Sequence, residues 1–207
     1  MGELIFDIGA FKGEYTDRYL AEGKRVIAIE PQKAHADALR KKYQDQPVTV
    51  VEAAVGAKTG TETLYQTRAP WLASLYPERW KIGRFSAYEW RRTGSVKTIT
   101  LDDLIDEYGM PDFIKIDTEG GEPEVFAGLT KAVPELSFEF TKELLDDAER
   151  CCKRLLEIGD YEFSISYIRE DKAGDYTGLD EVMKTLRSNN HPLLWGNIYA
   201  RLKNGQH

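Results

Sequence analysis

Short apolar runs alternate with amphipathic ones along most of this chain, and no other feature narrows the fold as far. Residues 4–8 (LIFDI), 25–30 (RVIAIE) and 48–52 (VTVVE) have strand length, and the second is mostly apolar on both faces. Between them, residues 13–22, closed by Gly23, and residues 33–43 have helical character, the second with Ala34, Ala38 and Leu39 facing inward. Strand–helix–strand–helix–strand with buried strands predicts a parallel sheet covered by helices. Residues 56–96 lack a clean periodicity. Order then resumes in VKTITLDDLIDEYG, a strand and a helix with Thr100 as N-cap. A strand over 112–117 follows, then a helix over 123–129 with Pro123 in its first turn, a strand in LSFEF and a long amphipathic helix over 141–158. The late strands YEFSISYI and GNIYARL show no strong helix between them, which predicts an antiparallel hairpin at one edge of the sheet. At 207 residues the whole reads as one domain.

Charge and cysteine usage exclude several roles. A formal charge of −7 argues against a nucleic-acid partner. No apolar run is long enough to span a bilayer, and no basic segment followed by an apolar one opens the chain, so neither a membrane partner nor a signal peptide is expected. Cys151 and Cys152 are adjacent and cannot meet disulfide geometry on a helix. They read as helix residues of a reducing compartment, the cytoplasm. No Cys/His pair has zinc spacing.

Chemistry is expected at the strand ends, where an open α/β sheet binds its ligands. The first strand runs into D-I-G-A-F-K-G, with Gly9 and Gly13 free to turn sharply and approach a ligand. A dinucleotide site wants G-x-G-x-x-G, and Phe11 breaks that pattern. Asp7 would repel a pyrophosphate but suits an ammonium or a sulfonium, as in S-adenosylmethionine. Glu30 ends the second strand, where an acid can accept hydrogen bonds from both ribose hydroxyls of either cofactor. Further on, Lys115, Asp117, Glu119 and Glu122 surround a strand end and a Gly-Gly turn, a cluster out of place in a plain core strand.

These pieces resemble the FkbM-type S-adenosylmethionine-dependent methyltransferases. FDIGAFKGEYT, VIAIEP, AAVG, ITLDDL and DFIKIDTEGGEPEVFAGL match in order, the last close to the hallmark K-I-D-x-E-G-x-E. The resemblance implies a class I, Rossmann-like fold: a doubly wound sheet of about seven strands, mostly parallel, with an antiparallel C-terminal edge strand. It also implies S-adenosylmethionine as cofactor and S-adenosylhomocysteine as product. Carried over by motif, Asp7, Gly9, Ala10, Phe11, Gly13, Tyr15 and Thr16 form the first cofactor-binding loop and helix. Glu30 and Pro31 hold the ribose, Glu52 and Ala53 lie near adenine, and Asp117 sits beside the transferred methyl. Three positions depart from the family: its usual Asn is Phe11 here, its Val is Thr118 and its Ala is Gly121.

An alcohol acceptor needs positioning in line with the methyl and benefits from a general base. Asp117 and Glu119 are the catalytic candidates, with Glu139 at the end of LSFE a third acid. No third ligand for a metal is evident, so none is expected. His35 is expected on an exposed helix face. Residues 68–97 hold seven basic residues against two acids, and 71–90 hold six aromatics. This stretch, an insertion at about 66–97, reads as a substrate lid, as an excursion packed on the sheet, or as a homodimer contact. Trp71, Ser74, Arg84 and Glu139 are the substrate candidates. The leading expectation is O-methylation of a sugar, glycan or natural-product hydroxyl. The alternatives are a Rossmann-type oxidoreductase and a non-catalytic cofactor-binding relative.

Overall fold

The computed structural model describes residues 2–69, 71–167 and 173–203. Pro70 of the expected insertion and Ile168 of the expected late strand lie outside the described residues. The larger of two sheets has seven strands. In chain order they are β1 (Leu4–Ile8), β2 (Arg25–Ile29), β3 (Val48–Val51), β8 (Phe113–Ile116), β9 (Glu135–Thr141), β10 (Tyr161–Tyr167) and β11 (Trp195–Leu202). Their order across the sheet is β10-β11-β9-β8-β1-β2-β3. β3, β2, β1, β8 and β9 run parallel, while β11 runs antiparallel to both β9 and β10.

This is the expected doubly wound, class I sheet, with one change of detail. The antiparallel C-terminal strand is not the edge, because β11 inserts between β9 and β10 and leaves β10 outermost. The late strands also enclose a helix that the periodicity did not predict, α6 (Leu179–Ser188). It buries Val182, Met183 and Leu186, a narrow stripe between charged flanks, and begins at Gly178 without a side-chain cap.

The other helices are α1 (Glu14–Ala21), α2 (Lys33–Lys42), α3 (Leu101–Tyr108), α4 (Glu122–Ala127) and α5 (Leu145–Ile158). Thr100 caps α3 by accepting from the Asp103 amide at 3.0 Å. A short 3-10 turn, Lys142–Leu144, precedes α5, so that helix starts later than its sequence pattern suggested. Side-chain parity divides β1 between two cores. Leu4, Phe6 and Ile8 pack with α3, α4, α5 and α6, while Ile5 packs with Leu39 and Tyr43 on the α1–α2 side. Burying side chains such as Phe6 contributes roughly 1.5–3 kcal/mol each. On α2 the inward residues are Ala36 and Leu39, followed by Tyr43, rather than Ala34 and Ala38, which are exposed. The 36–39–43 spacing is the stripe that meets the sheet.

Residues 54–99 build a second, four-stranded sheet of order β4-β7-β5-β6. Its strands are β4 (Ala54–Val55), β5 (Gly60–Gln66), β6 (Ala73–Ser74) and β7 (Arg91–Ile99). β5 and β7 pair antiparallel, and β4 pairs parallel with β7 through Ala54↔Thr98 and Val55↔Ile99. Two 3-10 turns, Pro77–Trp80 and Gly83–Phe85, lie between β6 and β7. Cys151 and Cys152 are free and buried on α5. Among the described residues no helix is long and apolar enough to cross a membrane.

Candidate active site

β1, β2 and β8 aim their carboxyl ends at one crevice, where the strand order reverses. A cavity opens there. One side is Ile8, Gly9, Phe11, Ile29, Glu30, Pro31 and Gln32, with Ala53–Val55 beyond them as an apolar slot. The loop after β8 contributes Asp117, Thr118, Glu119 and Gly121. The opposite wall comes from the second sheet and its loops: Leu64, Trp71 and residues 73–76.

The first loop is built by close backbone approach. Gly9 has φ 82°, and a Cβ there would overlap the carbonyl oxygen of Asp117. Its amide and that of Ala10 both donate to the Ile29 carbonyl, at 2.9 and 3.0 Å. Phe11 is left-handed at φ 47°, a conformation that costs a residue with a Cβ about 1–2 kcal/mol and that Asn adopts more readily. Its amide donates to Glu30 Oε2 at 2.9 Å, and its ring lies 4.5 Å from that of His35. His35 is thus half-buried rather than exposed. The other Glu30 oxygen accepts from the Gln32 amide at 2.8 Å.

Asp7 and Thr16 lie behind this loop, not in the cavity. Asp7 shares the face of Ile5, under α1, and accepts from Thr16 Oγ1 at 2.5 Å. Ala10, Gly13 and Tyr15 also stay outside the cavity lining. Tyr15 instead carries the Lys115 ammonium 4.9 Å from its ring centre. Glu52 turns outward to Arg40, at 2.9 Å, into a separate open depression beside Ala53.

The second loop gathers acids around one buried cation. Lys115 is 2% exposed and lies beside Asp7 in the β1–β8 register. Its Nζ sits 3.3 Å from Asp117 Oδ2. The Thr118 amide and hydroxyl both donate to Glu122 Oε1 at 2.9 Å. Glu119 is left-handed at φ 54°, and such strain in a non-glycine residue clusters at functional sites. One oxygen each from Asp117, Glu119 and Glu139 lie within 4.8 Å of one another. Glu139 thus joins the group as a third carboxylate. Burial, and then the neighbouring carboxylates, push Glu119 and Glu139 well above the usual range.

A second, open cleft adjoins the first. Trp80, Phe85, Tyr88 and Trp195 give it aromatic walls, and Arg84 and Glu139 belong to it rather than to the inner cavity. Arg84 is engaged by Glu143 at 3.4 Å. Trp71 and Glu119 line both cavities, and Trp71 is 60% exposed. Ser74 is buried in the inner wall, where its hydroxyl accepts from the Tyr76 amide at 3.0 Å. Sequence reasoning missed Gln32, Leu64, Leu75 and Tyr76. Their signal was weak, because three of the four reach the site only through the second sheet and its loops.

Buried carboxyls shape the pH response of the folded chain, and Asp7 and Glu30 are two of them. Desolvation raises Asp7 to about 6, against the opposing effects of Thr16 and Lys115. It raises Glu30 to about 7, against the two amides. Both groups therefore hold protons in the folded chain that the unfolded chain has released between about pH 4 and 7. Stability falls as pH rises through that window, on the order of 3 kcal/mol per group at about 1.4 kcal/mol per unit. The ligand-free protein should melt at a higher temperature at pH 5.5 than at pH 8. A higher melting temperature at pH 8 would mean that these carboxyls are ionised when folded.

Comparison with known proteins gives the following likenesses. The family described as Methyltransferase FkbM domain matches residues 7–189. The precorrin-6y C5,15-methyltransferase from Geobacter metallireducens superposes with a TM-score of 0.52 at 13% identity, over 98% of this chain and 81% of that one. A SAM-dependent O-methyltransferase from Thermotoga maritima gives 0.45 at 11% identity, over 100% of this chain and 61% of that one. The C-terminal domain of precorrin-6Y C5,15-methyltransferase from Rhodobacter capsulatus gives 0.47 at 10% identity, over 98% and 81%. No curated protein matches the chain significantly.

Proposed function

The chain belongs to the FkbM methyltransferase family and is an S-adenosylmethionine-dependent methyltransferase; from that premise we propose that it methylates a hydroxyl on a sugar, glycan or natural-product small molecule. The cofactor belongs in the inner cavity and the acceptor in the outer cleft. One observation carries this division: Glu119 and Trp71 line both spaces, so the two meet at a carboxylate and an indole.

The inner cavity suits the cofactor chemically. Glu30 offers carboxylate oxygens at the end of β2 for ribose hydroxyls. Ala53, Ala54, Val55 and Leu64 give an apolar slot for a purine. Asp117 and Glu119 face the side where a positive charge would be stabilised. When bound, S-adenosylmethionine supplies a methyl already activated by its sulfonium, so the chain mainly has to position the acceptor.

Glu119 is our general base. At the junction it takes the proton from the acceptor hydroxyl on its carboxylate oxygen. Its raised affinity for protons suits a base that must hold what it takes. Asp117, held by Lys115 at 3.3 Å, lies beside Glu119 in the same loop. The aromatic walls offer flat faces for a ring-shaped acceptor. With Arg84 engaged by Glu143, the outer cleft has little to offer an anionic acceptor.

Calorimetric titration tests the cofactor assignment. S-adenosylmethionine and S-adenosylhomocysteine should bind and NAD should not. Glu30→Ala should weaken binding about 10- to 100-fold, the equivalent of about 1.5–3 kcal/mol for charge-assisted hydrogen bonds. Unchanged affinity in that variant would remove Glu30 from the ribose role.

A further inference from the structure

The turn Pro77–Trp80 does more than cover the site. Trp80 is 2% exposed, and its Nε1 donates to the Glu119 carbonyl at 2.7 Å. Arg79 donates to the next carbonyl, that of Gly120, at 2.6 Å. The same guanidinium grips Glu124 of α4 with two nitrogens, at 2.6 and 2.5 Å. Gly120 is itself left-handed at φ 87°, and a Cβ there would come within 2.8 Å of the Trp80 nitrogen and 3.1 Å of its ring. Glu119 and Gly120 are thus two successive left-handed residues, both of whose carbonyls are held by the second-sheet region. On its other side Trp80 lines the outer cleft, where its ring meets Phe85 edge-on at 4.5 Å.

We infer that Trp80 and Arg79 are positioning residues for methyl transfer, clamping the 119–120 peptides so that the Glu119 carboxylate stands at the junction of the two cavities. A left-handed non-glycine residue persists only where its surroundings hold it. These two donors supply that hold, and Arg79 ties it to α4 through a planar, two-point contact that a lysine cannot reproduce. The clamp also joins the two spaces mechanically. An acceptor lying against Phe85 and Trp80 bears on the same indole that holds Glu119. Occupancy of one cavity therefore affects affinity in the other, and the coupling is reciprocal.

The test needs no acceptor, and it rests on the cofactor reading above. S-adenosylhomocysteine is titrated into the wild type, Trp80→Phe and Phe85→Leu, and the Glu119 side-chain carboxyl is followed by carbon NMR across pH. Trp80→Phe keeps an aromatic ring and loses the N–H, whereas Phe85→Leu disturbs the same packing and leaves the hydrogen bond. W80F should weaken S-adenosylhomocysteine at least tenfold and move the Glu119 titration midpoint down by at least one pH unit as the carboxylate leaves its neighbours. F85L should change affinity less than threefold and leave the midpoint in place. The clamp is overturned if W80F fails either expectation, or if F85L moves both readouts as far as W80F does. If W80F does not fold, Arg79→Lys decides, with at least a threefold loss of affinity and the same direction of midpoint shift expected, and with no change overturning the clamp. Failure of the wild type to bind S-adenosylhomocysteine would instead overturn the cofactor reading.

Discussion

Replacing Gly9 by Ala should destabilise the protein by more than about 3 kcal/mol and lower its melting temperature by roughly 6–12 °C, at about 2–4 °C per kcal/mol for a chain of this size. Two effects add. The left-handed backbone disfavours any Cβ by about 1–2 kcal/mol. The new carbon also meets a main-chain carbonyl, that of Asp117, which cannot swing aside like a side chain. The chain can accommodate it only by parting the loops after β1 and β8. Those loops hold Gly9, Asp117 and Glu119, so S-adenosylhomocysteine binding should vanish together with the lost stability. A melting temperature within about 2 °C of wild type, equivalent to less than roughly 1 kcal/mol, would mean that the two loops are not in register as described.

Glu119→Gln should lower turnover about 10²- to 10⁴-fold, the usual contribution of a general base. Affinity for S-adenosylhomocysteine should stay within about threefold, roughly 0.7 kcal/mol. The amide keeps the shape of the acid, and the main chain of residue 119 remains held by Trp80. Residual activity should also lose its rise with pH, since the group that must ionise is gone. Turnover close to wild type would move the base to Asp117 or Glu139, the two acids within reach of the same point. Single-turnover assays with an acceptor found by screening would separate these outcomes.

The parallel sheet is readable in the sequence because β1, β2 and β8 are enclosed, so their apolar runs are nearly continuous. β5 and the first half of β7 are not readable, since β5 buries only Leu64 and residues 91–95 bury none of their side chains, whereas the end of β7 is legible in VKTIT. A strand with little burial on either face carries no alternation to detect. The acids of the site could be found because each closes an apolar run. Whether each one faces the cavity could not, because that depends on strand parity. Asp7 sits one residue before Ile8 and so turns to α1, while Gly9 and Asp117 meet across the β1–β8 loops. Glu139 gains its meaning only when β9 pairs with β8 and brings it to Asp117 and Glu119. The Trp80 clamp spans 39 positions of sequence, and no local pattern encodes it.

The pairing of Ala54 with Thr98 has one more consequence. Because β4 and β7 run parallel, chain that leaves after Val55 returns beside it at Ile99, one strand spacing of about 4.8 Å away. Residues 56–98 therefore form a cassette, a piece that can be cut out and replaced without rerouting the strands of the main sheet. A transplanted cassette would redraw the outer cleft and leave Glu30, Lys115 and Asp117 where they stand. It must bring its own donors for the Glu119 and Gly120 carbonyls, and that requirement sets which grafts the scaffold accepts.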